Sequence, residues 1–291
     1  GATDEVHTMS DGRRLQITHH TGFRYATDVA VSFNEVRMTP LSGEGQTLLN
    51  HQLLLEPASR LHSYVDYWGA VVEWFEIHIP HRILEITSTS LVDTPPMPEW
   101  GGGGSWEGLR NPISLDAFGE FLQPTHYVDS AMLGGDVAKL VKDLRTSETP
   151  EEAARGCIEA VRSRLSYESG RTDVSTTASQ AWAAGHGVCQ DFSHTALVLL
   201  RALGIPARYV SGYLHTEEPA VGQTVIGESH AWVEYWDDGW HAYDPTNNRA
   251  VGAAHVVVAR GRDYADVPPL KGIFAGGPSE GLGVTVEITQ V

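Results

Sequence analysis

The sequence is short of cysteine, of lysine and of long apolar runs. Cysteine occurs twice in 291 residues, at Cys157 and Cys189. A disulfide framework in a secreted chain needs more than that, although one bridge stays open. No apolar run approaches the roughly 18 residues that span a bilayer. The N-terminus also lacks a basic-then-apolar signal segment. A cytoplasmic location is the expectation, while Gly1 points to a trimmed start and leaves a removed leader open. Lysine occurs three times, at Lys139, Lys142 and Lys271, and 37 acidic residues face 20 basic ones for a net charge of −17. Phosphate binding needs clustered Lys and Arg, so the charge balance argues against a nucleic-acid partner. Adhesion to an anionic membrane is disfavoured on the same ground. The plain reading of the charge is a solubilising acidic surface.

The chain exceeds the usual length of one domain, so two are expected. Period-2 patterns at Leu15 to His19, Val71 to Ile79 and Leu84 to Thr89 read as short strands of a sandwich-like β domain over residues 1–95. Asp93-Thr94-Pro95-Pro96-Met97-Pro98 and the glycines at 101–104 hold neither helix nor strand, so 96–130 is assigned to a linker and Gly-rich loop. Residues 131–291 begin with helical patterns. Strands follow at Ala207 to His215, Ser229 to Trp236, Trp240 to Tyr243, Ala254 to Ala259 and Leu282 to Thr289. Helices first and strands after indicate an α+β domain with an antiparallel sheet.

The two cysteines sit in different contexts. Cys157 falls within a predicted helix, Glu151 to Tyr167, on one face with Ala153, Ala154, Ile158, Val161 and Leu165. It reads as a core filler. Thr149, Pro150 and Glu152 supply the N-cap, the first helical position and the capping-box partner. Cys189 instead opens a helix that runs to Leu203, with Phe192, Ala196, Leu199 and Leu200 as its buried stripe and Gly204 as its stop. Unpaired N–H groups and the helix dipole favour negative charge there, and the thiolate is the nucleophilic form. Gly185 and Gly187 allow a sharp turn and close approach of a substrate backbone. A buried structural thiol is the alternative.

A hairpin decides between them. Ser229 to Trp236 and Trp240 to Thr246 flank the turn Asp237-Asp238-Gly239. With a three-residue loop, Trp236 pairs with Trp240 and Trp232 with Asp244, leaving His230 diagonal to Asp244 on one face. A two-residue loop would put them on opposite faces. The odd loop is therefore required, with Gly239 in the left-handed position. In that geometry Cys189 attacks an amide carbonyl, His230 moves the proton and Asp244 fixes the imidazole tautomer. The alternative is a strand histidine and an aspartate that only opens an Asp-Pro turn.

Three ordered stretches carry a resemblance: Gly187-Val188-Cys189-Gln190-Asp191-Phe192-Ser193-His194, His230-Ala231-Trp232-Val233-Glu234 and Trp240-His241-Ala242-Tyr243-Asp244-Pro245-Thr246. Together they resemble bacterial transglutaminase-like proteins. Residues Gly261 to Pro269 are similar to that family's C-terminal signature. Thr18-His19-His20-Thr21 and Tyr67-Trp68-Gly69 are similar to its preceding β domain. The resemblance implies a papain-like core and catalytic roles for Cys189, His230 and Asp244. It also implies a peptide or protein amide substrate; the family spans cross-linking enzymes, peptidases, amidases and inactive members. Water as acceptor makes a peptidase or amidase, an amine a transglutaminase, and few lysines would spare a cross-linker from self-coupling. A non-catalytic peptide-binding module is the rival reading. Asp191 and His194 stand beside Cys189 as secondary candidates, with Gln180, Trp182 and His186 as oxyanion donors. Tyr264 and Asp266 are possible cleft residues, and Trp100 and Trp106 a flap or interface. No cofactor is called for. His78-Ile79-Pro80-His81 straddles a strand end, and neither a zinc pattern nor a calcium loop occurs.

Overall fold

The computed structural model of the protein describes residues 11–98, 103–216 and 219–291. The first half follows its period-2 patterning. Strands Arg14–Val29, Thr47–Glu56 and His81–Asp93 lie in one antiparallel sheet, and Ser32–Val36, His62–Val65 and Val71–Ile77 in a second. Tyr25, Leu84 and Ile86 from the first sheet share a core with Val36, Phe75 and Ile77 from the second. This is the sandwich arrangement expected.

The second half forms the α+β core. Its antiparallel sheet runs in the order Arg249–Ala250, Trp240–Asp244, Glu228–Trp236, Ala207–Leu214 and His255–Gly261. Helix Cys189–Ala202 packs on the two strands Glu228–Trp236 and Ala207–Leu214. Phe192, Ala196 and Leu199 from the helix meet Ala231, Val233 and Tyr235 from the sheet. Side chains alternate along a strand, so His230, Trp232 and Glu234 share the other side. Helix Pro150–Arg164 lies alongside, opened by Thr149, whose hydroxyl accepts from Glu152 N at 3.2 Å. The Glu152 carboxylate reaches back one residue further than expected, to Glu148 N at 3.0 Å. Cys157 is wholly buried there, and burial pushes its thiol far up, out of use as a nucleophile. Among the described residues no helix is long and apolar enough to cross a membrane.

Two expectations need correction. The C-terminal strands do not stay in the second half. Leu270–Phe274 pairs with Ser32–Val36, and Thr285–Gln290 pairs with Arg14–Val29 in the register Ile17↔Ile288. The strand expected at Leu282 to Thr289 thus belongs to the N-terminal sheet, because alternation marks a strand without naming its partner. The 96–130 stretch, expected as linker, also folds in its second part, into helices Trp106–Leu109 and Pro112–Phe118. Ser105 and Asn111 cap them by accepting from Gly108 N and Ile113 N. These helices are too short to carry a visible apolar period.

The halves share one core. Leu15, Ile17, Val92 and Ile288 bury against the same cluster as Tyr213 and Val256. Buried His19 Nδ1 meets Tyr213 Oη at 2.7 Å. Gln46 stitches the junction, donating to Val257 O and accepting from Val257 N, both at 2.8 Å. The sheet carrying His230 is therefore braced on its flank by the first domain.

Candidate active site

Cys189 is the first residue of its helix. The preceding helix, Ala178–Ala184, ends at Gly185, which takes the left-handed conformation at φ 77°. His186–Gly187 then forms a short parallel pair with Ser166–Tyr167. Asp191 caps the new helix, its Oδ2 accepting from Val188 N at 2.9 Å and from Thr172 Oγ1 at 2.7 Å. Burial raises the Asp191 carboxyl above its ordinary value, with those two donors opposing. Gly187 was expected to admit a substrate backbone. Its role is different: a Cβ there would stand 2.5 Å from Asp191 Cβ, so glycine is what lets the cap close.

The hairpin has the required odd loop. Trp236 pairs with Trp240 and Val233 with Tyr243, leaving Asp237, Asp238 and Gly239 as the turn. The left-handed residue is Asp238, at φ 57°, rather than Gly239, at 158°. Aspartate tolerates that region because its short carboxylate bonds locally. The register brings His230 Nε2 to 2.8 Å from Asp244 Oδ2. The Cys189 side chain lies near enough to the same imidazole to act on its charge. All three predicted residues therefore come together, His230 and Asp244 buried and Cys189 half-buried.

Burial by itself would lower the imidazole. The hydrogen bonds and negative charges of Asp244 and Cys189 outweigh it and push His230 up to about 10. Burial likewise works against ionised Asp244, but both imidazoles facing it hold the carboxyl far below its ordinary value.

Asp244 accepts more bonds than its strand position alone suggests. Oδ1 takes Thr246 N and Asn247 N, both at 3.1 Å, which is the turn-opening role of an Asp-Pro sequence. Oδ2 takes His230, Asn247 Nδ2 at 2.9 Å and His255 Nε2 at 3.0 Å. His255 had no signal in the sequence beyond its place at the start of an apolar strand. Asn247 had one, three residues after the aspartate in a turn. Two imidazoles and a carboxylate are also a metal donor set, and these three residues offer atoms within 4.8 Å of one another. Tetrahedral ligands at about 2.0–2.1 Å from zinc would stand about 3.3 Å apart. The 2.8 and 3.0 Å contacts found here are hydrogen-bond lengths.

The secondary candidates divide. Gln180 Oε1 accepts from Thr177 N at 2.9 Å and closes a capping box at the start of its helix. Trp182 and His186 are half-buried beside the nucleophile's loop. Asp266 accepts from Arg262 N at 2.8 Å and pins its own loop. Trp106 is anchored by Nε1 donating to Ser147 O at 2.9 Å, and Trp100 lies outside the described residues. His194 is fully buried, stacked on Tyr127 and packed against the tilted ring of Tyr209, with Nε2 accepting from Tyr264 N at 3.1 Å. It fastens the Tyr264 loop.

Burial, helped by the Arg201 charge, lowers His194 to about 3. A histidine held neutral stabilises the fold fully above its ordinary value near 6.5. The unfolded chain gains the proton first as pH falls, so this contribution shrinks between about 6.5 and 3. On the order of 5 kcal/mol is at stake. Thermal melting should therefore fall steeply below pH 6. His194→Gln, whose amide oxygen can still accept from Tyr264, should flatten that slope. An unchanged slope in the variant would overturn the assignment.

Fold and site together are those of a cysteine-dependent enzyme. Residues 15–93 match the bacterial transglutaminase-like N-terminal region, and residues 138–245 the transglutaminase-like superfamily. An uncharacterized protein of Mycobacterium leprae is 41% identical over 279 residues, covering 96% of this chain and 99% of its own. The chain belongs to the bacterial transglutaminase-like family. Over 65 residues it is 42% identical to a protein-glutamine gamma-glutamyltransferase of Pseudomonas aeruginosa, a match spanning 21% of this chain and 10% of that protein. The crystal structure of a candidate cysteine protease from Cytophaga hutchinsonii superposes with a TM-score of 0.78 at 22% identity, covering 97% and 92% of the two chains.

Proposed function

We propose that the protein cleaves or transfers the acyl group of peptide or protein amides through a thioester on Cys189. The observation that supports this reading is the buried His230–Asp244 hydrogen bond at 2.8 Å beside the half-buried Cys189, which acts on the same imidazole. The Cys189 thiolate adds to the amide carbonyl, and the first-turn N–H groups of its helix face the developing oxyanion. His230, as imidazolium, gives its proton to the departing amine, which leaves the thioester. An incoming water or amine then loses a proton to His230, attacks the thioester and releases the thiol. Asp244 holds the imidazole in the tautomer that presents Nδ1 to sulfur.

Water as acceptor makes the protein a peptidase or amidase, and this is the primary reading. The match to a gamma-glutamyltransferase favours an amine as the second. Incubation with glutamine-containing peptides and a primary amine, followed by mass spectrometry, separates the outcomes as cleaved, deamidated or amine-bearing peptides. Cys189→Ala should abolish every product. Product formation that survives this change, or Cys189 alkylation by iodoacetamide no faster than for a free thiol, would favour a peptide-binding module instead.

A further inference from the structure

Backbone N–H groups at a helix start are one kind of oxyanion donor, and a side-chain N–H or O–H is the other. Among the described residues four tyrosines are buried: Tyr25, Tyr209, Tyr213 and Tyr235. Tyr213 spends its hydroxyl on His19, and the hydroxyls of Tyr25 and Tyr235 are sealed from solvent. Tyr209 differs. The residue is 2% exposed, yet its hydroxyl is neither sealed nor hydrogen-bonded to any described residue. We propose that the Tyr209 hydroxyl is a catalytic donor to the oxyanion formed when Cys189 attacks an acyl carbonyl. This role rests on the thioester chemistry proposed above.

The strand register gives its position. Tyr209 lies opposite Val233, whose side chain faces helix Cys189–Ala202, so the phenol faces that helix too. Cys189 packs against the same core cluster that Tyr209 belongs to. His194 of the helix packs against the Tyr209 ring at a centroid distance of 5.0 Å. That histidine is itself fully buried and fastened to Tyr264 N, which leaves the ring little freedom. A donor fixed in advance costs no reorganisation when charge develops on the substrate oxygen. Burial holds the phenol well above its ordinary value, and negative charge on Cys189, Tyr264, Asp191 and Asp263 pushes the same way. The hydroxyl therefore keeps its proton at neutral pH and can donate it. Cys189 and Asp191 both belong to the first turn of the helix, so their action on the phenol places its hydroxyl toward that turn.

Two reagents separate oxyanion stabilisation from thiol reactivity. With p-nitrophenyl acetate the thiolate adds to the carbonyl, an oxyanion forms, p-nitrophenolate leaves, and the acetyl group stays on sulfur as a thioester. With iodoacetamide a C–S bond forms as iodide leaves, and no oxyanion arises. Both rates are read on the full chain in single turnovers, with Cys189→Ala as the blank. Tyr209→Phe keeps the ring against His194 and should melt at the wild-type temperature. Its acylation should be slower by about 10²-fold, the lower end of what one lost oxyanion donor costs. Its alkylation rate should be unchanged. A ratio of acylation to alkylation equal to the wild-type ratio, whether both rates hold or fall together, overturns the donor and leaves the role to the helix N–H groups. Wild-type Cys189 alkylated no faster than a free thiol instead sinks the proposed function, and the donor with it.

Discussion

Asp244→Asn is expected to lower kcat/KM about 10⁴-fold on any amide the wild type turns over, the size this change has in a serine hydrolase triad of the same logic. The carboxylate accepts from donors on both oxygens: backbone N–H groups on Oδ1, and His230, His255 and Asn247 on Oδ2. An asparagine has one acceptor and must aim its NH₂ at one of these sets. Facing the imidazoles, it favours the wrong His230 tautomer; facing the turn, it opposes two N–H groups. The change also removes the negative charge that helps hold His230 up at about 10. Carboxylate charge favours the imidazolium, so its loss must move the imidazole downward. The alkaline limb of the pH–rate profile, where the leaving amine loses its proton donor, should shift to lower pH in the variant. NMR titration of His230 in Cys189→Ala and in Cys189→Ala/Asp244→Asn reads the same shift without turnover. An imidazole that titrates identically in both would show that Asp244 does not act on His230.

How much of this site was legible depended on the range of the interactions. The nucleophile's helix is a local matter of glycine, an apolar stripe and a stop at Gly204, and the sequence states each. The hairpin register is nearly local, since the parity of one loop decides whether His230 and Asp244 share a face. Asp244 was legible in two competing ways, as triad member and as turn opener, and it does both with separate oxygens. His255 was not legible, because it reaches Asp244 from a strand on the far side of the sheet order. The return of Leu270–Phe274 and Thr285–Gln290 to the first domain was hidden for the same reason. Gly187 was visible as a glycine, but its reason, the Asp191 carboxylate folding back on the helix start, needs the side-chain geometry.

Glu234→Ala should be the most destabilising single change on the face that carries His230. Glu234 is 3% exposed and accepts from Arg208 Nε at 2.5 Å and from Arg260 Nε at 3.0 Å on both oxygens. Arg208 also lies over the Trp240 ring, 3.9 Å from its centroid. Removing the carboxylate leaves two mostly buried guanidiniums facing one another, with only the exposed Glu44 for company. Breaking such a network costs about 3–5 kcal/mol, much of it the uncompensated charge left behind. For a chain of this size the melting temperature should fall by on the order of 10 °C. The alternative cause is lost packing, and a triple variant tells the two apart. Glu234→Leu with Arg208→Met and Arg260→Met removes every charge while keeping apolar volume, and it should recover most of the loss. If the triple variant melts as low as Glu234→Ala, packing rather than charge is what Glu234 supplies. A Glu234→Ala melt within a degree or two of wild type would remove the network from the account of how this sheet is held.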